Sequence, residues 1–195
     1  MKLLDYAKLC QSSYAALGGT WTDVYDLRFR VFNYPEKQVV CFRGSSNIEN
    51  WVRDFSFWPV RSPKGYLAHD GFTNAFKVVE PTLKKLIDPA KPITATGHSL
   101  GGAMAVIAGE AFNCPVVTFG CPRVYFRLSR APLMDHTRIV CDDDPVPDVP
   151  LLMFHHLCPP AVVLQDSDGE FLNPEDHDIH VYISRLEAAY AAGKL

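Results

Sequence analysis

The sequence predicts an α/β fold, a mixed and mostly parallel central sheet flanked by helices, and three observations carry that prediction. Short β-prone runs alternate along the chain with longer stretches of helical spacing, the pattern of strands joined by crossover helices. One run, Pro115-Val116-Val117-Thr118-Phe119, is apolar at nearly every position and suits a strand buried on both faces. Another, Pro92-Ile93-Thr94-Ala95-Thr96, passes through Gly97-His98-Ser99-Leu100-Gly101-Gly102 into helix formers from Ala103 to Phe112: strand, sharp turn, helix. At 195 residues and 48% hydrophobic, the chain supports one domain with a sizeable core, spanning residues 1–195.

Taken in order, Leu3, Leu4, Ala7, Leu9, Cys10, Tyr14 and Leu17 trace a helical stripe that Gly18-Gly19 stops. Residues 25–33 and 38–42 read as strands joined by Tyr34-Pro35-Glu36-Lys37, a hairpin feeding the sheet. In residues 47–55, Ile48, Trp51, Val52 and Phe55 fall at i, i+3, i+4 and i+7, a short amphipathic helix that Ser56-Phe57-Trp58-Pro59-Val60 would continue. A core helix and a lid over a site are both compatible with that stripe. Residues 64–70 read as a loop and 71–87 as a helix ended by Asp88-Pro89. After the Ser99 turn and its helix, the 115–119 strand is stopped by Gly120-Cys121-Pro122. Residues 137–141 form a further strand that runs into Asp142-Asp143-Asp144-Pro145-Val146-Pro147-Asp148. Residues 161–165 and 170–172 read as a late hairpin. Ile179, Tyr182, Ile183, Leu186 and Tyr190 mark a last amphipathic helix.

Charge narrows the function classes. Nineteen basic against 22 acidic residues, with the basic ones dispersed, leave no electrostatic footprint for nucleic acid. No run approaches transmembrane length, and charge interrupts the first residues too early for a signal peptide's apolar region. The expectation is an intracellular chain or a secreted one already parted from its leader. Cys10, Cys41, Cys114, Cys121, Cys141 and Cys158 lack Cys-x-x-Cys spacing and read as buried reduced thiols.

The turn at Gly97-x-Ser99-x-Gly101 is a nucleophile elbow, with Ser99 as the candidate nucleophile. A serine hydroxyl needs a base within hydrogen-bond reach and that base an orienting acid, in the chain order Ser, Asp or Glu, His. Asp144 is the favoured acid, since Pro145 pushes it toward extended geometry and Val146-Pro147 stiffens the exit; Asp142, Asp143 and Asp148 read as a solvated loop. His177 is the favoured base, at the start of the last helix, where the dipole favours neutral imidazole. His180 is a weaker rival, and His155 and His156 read as structural. The oxyanion donors are expected at the Leu100 N–H and at Ser45, after the earlier strand end.

Several blocks together resemble the class 3 lipases, the fungal lipase-like α/β hydrolases with plant phospholipase A1 and feruloyl esterase relatives. The residues are Val40 to Asp54 (the family's oxyanion loop and lid), His69-Asp70-Gly71-Phe72, the elbow from Gly97 to Gly102, and Phe119-Gly120-Cys121-Pro122. The others are the acid-bearing Asp144-Pro145-Val146-Pro147, and Asp176-His177-Asp178 with Tyr182. The resemblance implies the α/β-hydrolase fold with a short helical lid and a Ser99–Asp144–His177 triad. It places the oxyanion serine on Ser45 and the lid tryptophan on Trp51, among Ile48, Val52 and Phe55. It implies hydrolysis of acylglycerol or phospholipid esters at a lipid–water interface, without metal or organic cofactor. A short-chain or aryl (feruloyl-type) esterase is the alternative, followed by an acyltransferase and a non-catalytic lipid-binding module. Leu151, Leu152, Met153, Phe154, Phe57 and Trp58 are candidate walls of the acyl pocket.

Overall fold

In the computed structural model, the described residues are 1–14, 21–44, 58–131, 134–151, 153–165 and 173–195. Their framework is a seven-stranded sheet made of β1 (Thr22–Val24), β2 (Leu27–Asn33), β3 (Gln38–Phe42), β6 (Ile93–His98), β7 (Val116–Phe119), β9 (His136–Cys141) and β11 (Val162–Leu164), in the spatial order β1-β2-β3-β6-β7-β9-β11. The first three strands pair antiparallel, and from β3 onward every neighbour is parallel.

Burial on both faces explains the apolar runs. In β3 all five residues are buried, Val40 and Phe42 toward one core cluster and Val39 and Cys41 toward the other, the period of two that a pleated strand imposes. The first cluster is filled by α2 (Asp70–Leu86) and α3 (Leu100–Phe112), through Phe72, Phe76, Val79, Leu83, Met104 and Ile107. The second is filled by α1 (Leu3–Ser12) and α4 (Ile179–Ala191), through Tyr6, Ala7, Cys10, Tyr182 and Leu186. These two outermost helices lie together: Leu3 N–H donates to Tyr190 Oη at 3.3 Å, and Lys8 pairs with Glu187 at 3.1 Å.

Several local expectations change. The predicted 25–33 strand is broken at its start, because Tyr25 takes φ 54 in a turn that joins β1 to β2. Pro59 and Val60 belong to no helix; they open β4 (Pro59–Arg61), and the predicted 64–70 loop contains β5 (Leu67–His69). With β8 (Tyr125–Phe126) and β10 (Phe154–His155) these build a second, antiparallel sheet in the order β10-β8-β5-β4. The late hairpin gives way at its first arm: β11 pairs parallel with β9, completing the main sheet, while 170–172 lies outside the described residues. Helix α1 ends at Ser12. Cys10, Cys41, Cys121 and Cys141 are buried free thiols, whereas Cys114 and Cys158 are only half-buried. Among the described residues, no helix is long and apolar enough to cross a membrane.

Candidate active site

Parallel strands all point their C-terminal ends to one edge, and that edge gathers the chemistry. Strand β6 ends in Ser99, β7 in Gly120, β9 in the acidic loop, and β3 in Arg43-Gly44. Ser99 sits at φ 59, ψ −131, a conformation that costs an ordinary residue ~1–3 kcal/mol and that the surroundings must enforce. Ser99 N–H donates to Phe119 O at 3.0 Å, and Gly102 and Ala103 donate to Ser99 O at 2.9 and 3.2 Å. A side chain on Gly97 would strike the Gly101 backbone, and one on Gly101 the backbone of Phe42, so only glycine lets the turn close.

Asp144 and His177 are brought together. His177 Nδ1 lies 2.7 Å from Asp144 Oδ2, with both side chains almost wholly buried. The same Asp144 oxygen accepts the Tyr182 hydroxyl at 2.6 Å, and Asp144 Oδ1 accepts the Val146 N–H at 2.8 Å. Since the carboxylate has only acceptors to offer, His177 Nδ1 carries the proton and Nε2 is left as the acceptor nitrogen. Burial and the Asp144 charge drive the Tyr182 phenol well above its ordinary range, so it stays a donor. Ser99 Oγ and His177 Nε2 are both buried, and neither has a hydrogen-bond partner. Gly120, at φ 55, makes room for the pair: a Cβ there would lie 2.9 Å from both Asp144 Oδ2 and His177 Cε1.

His177 stands where the loop meets the last helix. It ends a single 3-10 turn, Pro174–His177, and Asp178 caps α4 after it, so the imidazole is held by its neighbours and not by a position inside the helix. Besides Asp144 these include His98, the residue before Ser99, whose ring lies against that of His177 with centroids 4.6 Å apart and planes 31° apart. His180 is exposed and meets Gln11 at 3.0 Å, away from the acid. His155 and His156 bond to the carbonyls of Tyr125 and Pro147, as structural histidines do.

The expectation of a solvated acidic loop fails for Asp143. It is 4% exposed and forked by Arg185 of α4 at 2.8 and 3.1 Å, while the same guanidinium reaches Asp176 at 3.0 Å. Arg185 thereby ties the neighbour of Asp144 to the neighbour of His177. Its hydrogen bonds hold the Asp143 carboxyl below the usual range, and burial together with Asp143 pushes Asp176 up to about 6. Asp148 is exposed and pairs with Arg123 at 2.7 Å.

Leu100 is the first residue of α3, so its N–H is one of the first-turn donors that no helical carbonyl can satisfy. Gly44 abuts the serine, a Cβ on it falling 3.1 Å from Ser99 Cβ. Ser45, Ile48, Trp51, Val52, Phe55, Phe57 and Leu152 lie outside the described residues. Of the candidate pocket walls, Phe154 is instead core, 1% exposed and packed on His69, whereas Trp58 is 75% and Leu151 62% exposed. A cleft of about 1020 Å³ opens beside His177, bounded by Tyr14, Arg43, His98, Pro174 and Glu175. The sequence reading missed His98 and Tyr14, although His98 stood inside the elbow motif itself.

The family model "Lipase (class 3)" matches residues 39–154. A secreted mono- and diacylglycerol lipase 1 from Fusarium solani is 32% identical over 139 residues, covering 63% of this chain and 42% of that protein. A lipase of Rhizomucor miehei is 31% identical over 163 residues, covering 71% and 45%. The chain spans less than half the length of these curated relatives. Among solved structures, the Rhizomucor miehei triacylglyceride lipase matches with a TM-score of 0.71 at 24% identity, over 90% of this chain and 91% of that one. The mono- and diacylglycerol lipase from Aspergillus oryzae matches with a TM-score of 0.61 at 24% identity, over 90% and 84%. These likenesses carry the α/β-hydrolase fold, which the mostly parallel sheet with helices on both faces shares. With the family model extending from β3 through the elbow and the acidic loop to β10, the chain belongs to the class 3 lipase family.

Proposed function

We propose that residues 1–195 act as one catalytic domain that hydrolyses carboxylic esters of acylglycerols through an acyl-enzyme. The observation that carries this reading is the buried Asp144–His177 hydrogen bond, set at the same sheet edge as a strained Ser99 whose Oγ has no hydrogen-bond partner. Ser99 Oγ attacks the ester carbonyl as His177 Nε2 takes its proton, and the imidazolium formed is stabilised by Asp144. The oxyanion is received by the Leu100 N–H and by Ser45, the residue after the glycine that abuts Ser99. His177 returns the proton to the leaving alcohol. Water deprotonated by the same nitrogen then releases the acid, so no cofactor enters the cycle.

Acylglycerols are favoured as substrate by the kinship with mono- and diacylglycerol lipases. The exposed Trp58 and Leu151 support the same class, since each borders a site segment: one follows residues 45–57, the other the Asp144 loop. The stretch 48–55, in whose sequence Ile48, Trp51, Val52 and Phe55 recur at helical spacing, is the lid candidate in this reading.

The test is hydrolysis of p-nitrophenyl butyrate and palmitate, with and without an emulsified interface, by wild type and Ser99→Ala. Turnover abolished in Ser99→Ala, with palmitate cleavage raised by the interface, supports the lipase. Butyrate preference without interfacial stimulation moves the assignment to a short-chain esterase. A wild type that cleaves no ester and takes no fluorophosphonate on Ser99 sinks the hydrolase reading.

A further inference from the structure

His98 is 3% exposed, and each of its ring nitrogens has one defined partner. Nε2 lies 2.7 Å from the His177 carbonyl oxygen, and a carbonyl only accepts, so Nε2 carries the proton. Nδ1 is therefore bare and accepts the Tyr14 hydroxyl at 2.8 Å. Among the described residues, the groups facing the ring are Tyr14, two residues past the end of α1, His177, and Tyr182 of α4, with Arg43 placed 5.7 Å over the Tyr14 ring. None of these is a carboxylate, and among the described residues only the bond to the His177 carbonyl favours an imidazolium. Burial, and then the charge that His177 acquires, push His98 well below the ordinary histidine range, and burial raises the Tyr14 phenol.

We propose, on the hydrolase reading above, that His98 is a positioning residue for the base, fixing the backbone and ring of His177 beside Ser99. Asp144 holds His177 by Nδ1 alone and leaves the imidazole a swing about that bond. His98 removes the swing twice, by stacking on one face of the ring and by anchoring the carbonyl of the same residue. Because β6 runs straight from His98 into Ser99, the nucleophile and the base share one rigid reference. Tyr14 completes the device by occupying the nitrogen that would otherwise take a proton. When His177 accepts the Ser99 proton, the charge stays on the ring that Asp144 serves, against a neutral neighbour.

Two substitutions separate the contacts. His98→Phe keeps a stacked ring and loses both hydrogen bonds, while His98→Gln keeps an N–H for the His177 carbonyl and loses the stack. The expected result is a fall in kcat of about 100-fold for His98→Phe, partly restored in His98→Gln, with KM within about twofold of wild type. Nitrogen-15 NMR of histidine-labelled wild type is expected to show a neutral, Nε2-protonated His98 from about pH 5 to about pH 9. Folded variants with wild-type kcat overturn the proposal, and so does a wild-type His98 that titrates in that range or carries its proton on Nδ1. If wild type is inert to esters and unlabelled by fluorophosphonate, the hydrolase reading has failed and the role of His98 falls with it. An active wild type with equally active variants condemns the role of His98 alone.

Discussion

Replacing Gly120 by alanine tests the packing of the acid and base from beneath. Two costs add at this position. Its φ of 55 lies where a Cβ costs ~1–2 kcal/mol. The new methyl would also stand 2.9 Å from Asp144 Oδ2, 2.9 Å from His177 Cε1 and 3.0 Å from His177 Nδ1. Ordinary contact needs roughly 3.5 Å, so the hydrogen-bonded pair must retreat by about half an ångström or the strand end must yield. Overpacking of this kind costs ~1–3 kcal/mol, for a total loss of about 2–5 kcal/mol in stability. A displacement of the base approaching an ångström costs up to about 100-fold in rate, so kcat should fall about 10- to 100-fold. Gly65→Ala is the internal control, because Gly65 has φ 88 and open space around its missing Cβ. It should lose only the conformational part, and none of the activity. The assay is urea unfolding of both variants beside kcat on p-nitrophenyl butyrate. A Gly120→Ala enzyme with kcat within about twofold of wild type, or no less stable than Gly65→Ala, would refute the argument.

Three further outcomes follow from buried polar groups. Tyr182→Phe removes the donor to Asp144 and strands the Cys141 N–H that bonds the phenol at 3.2 Å. It should cost about 2–4 kcal/mol in urea unfolding and about tenfold in kcat, with KM little changed. Burial drives His136 and His156 down to about 3, so the stability they lend is present above the unfolded histidine value of ~6.5 and lost as pH falls toward about 3. Urea midpoints should drop across that window, and a double His136→Asn, His156→Asn variant should show a shallower fall; equal slopes would show that other groups drive the acid limb. Asp176 has the opposite sign. Its carboxyl is raised to about 6, so its contribution is present below about 4 and lost as pH rises through about 6. Asp176→Asn should therefore gain on wild type between about pH 4.5 and about pH 7.5, and parallel midpoint curves would count against it.

The elements that could be read from the sequence were those whose burial is one-sided or complete. Strands such as 38–42 and 116–119 announce themselves because both faces are covered, and α4 because one face is. The second sheet stayed hidden for a physical reason: strands of two or three residues are too short for an alternation to show. Phe154 looked like a pocket wall because hydrophobicity does not say which apolar space a side chain enters. Asp143 looked solvated because its partner, Arg185, is remote in the chain. The pairing of Asp144 with His177 was legible from chain order and local stiffness. His98 was not, since its role lies in the bond to a backbone carbonyl, which leaves no mark in residue type.

His177 reaches the site on a segment whose seat is the first helix of the chain, through Leu3 with Tyr190, Lys8 with Glu187 and Gln11 with His180. The serine elbow, by contrast, belongs to the middle of the sheet. If α1 and α4 part from the sheet while β3, β6 and β7 stay paired, the elbow survives and His177, Tyr182 and Arg185 leave together. Activity would then report a local opening equilibrium and vanish before the bulk of the sheet unfolds. In that case the docking of these two helices, the first and last of the chain, would set the temperature at which activity is lost, and a graft that staples them together would raise that ceiling without touching a residue of the site.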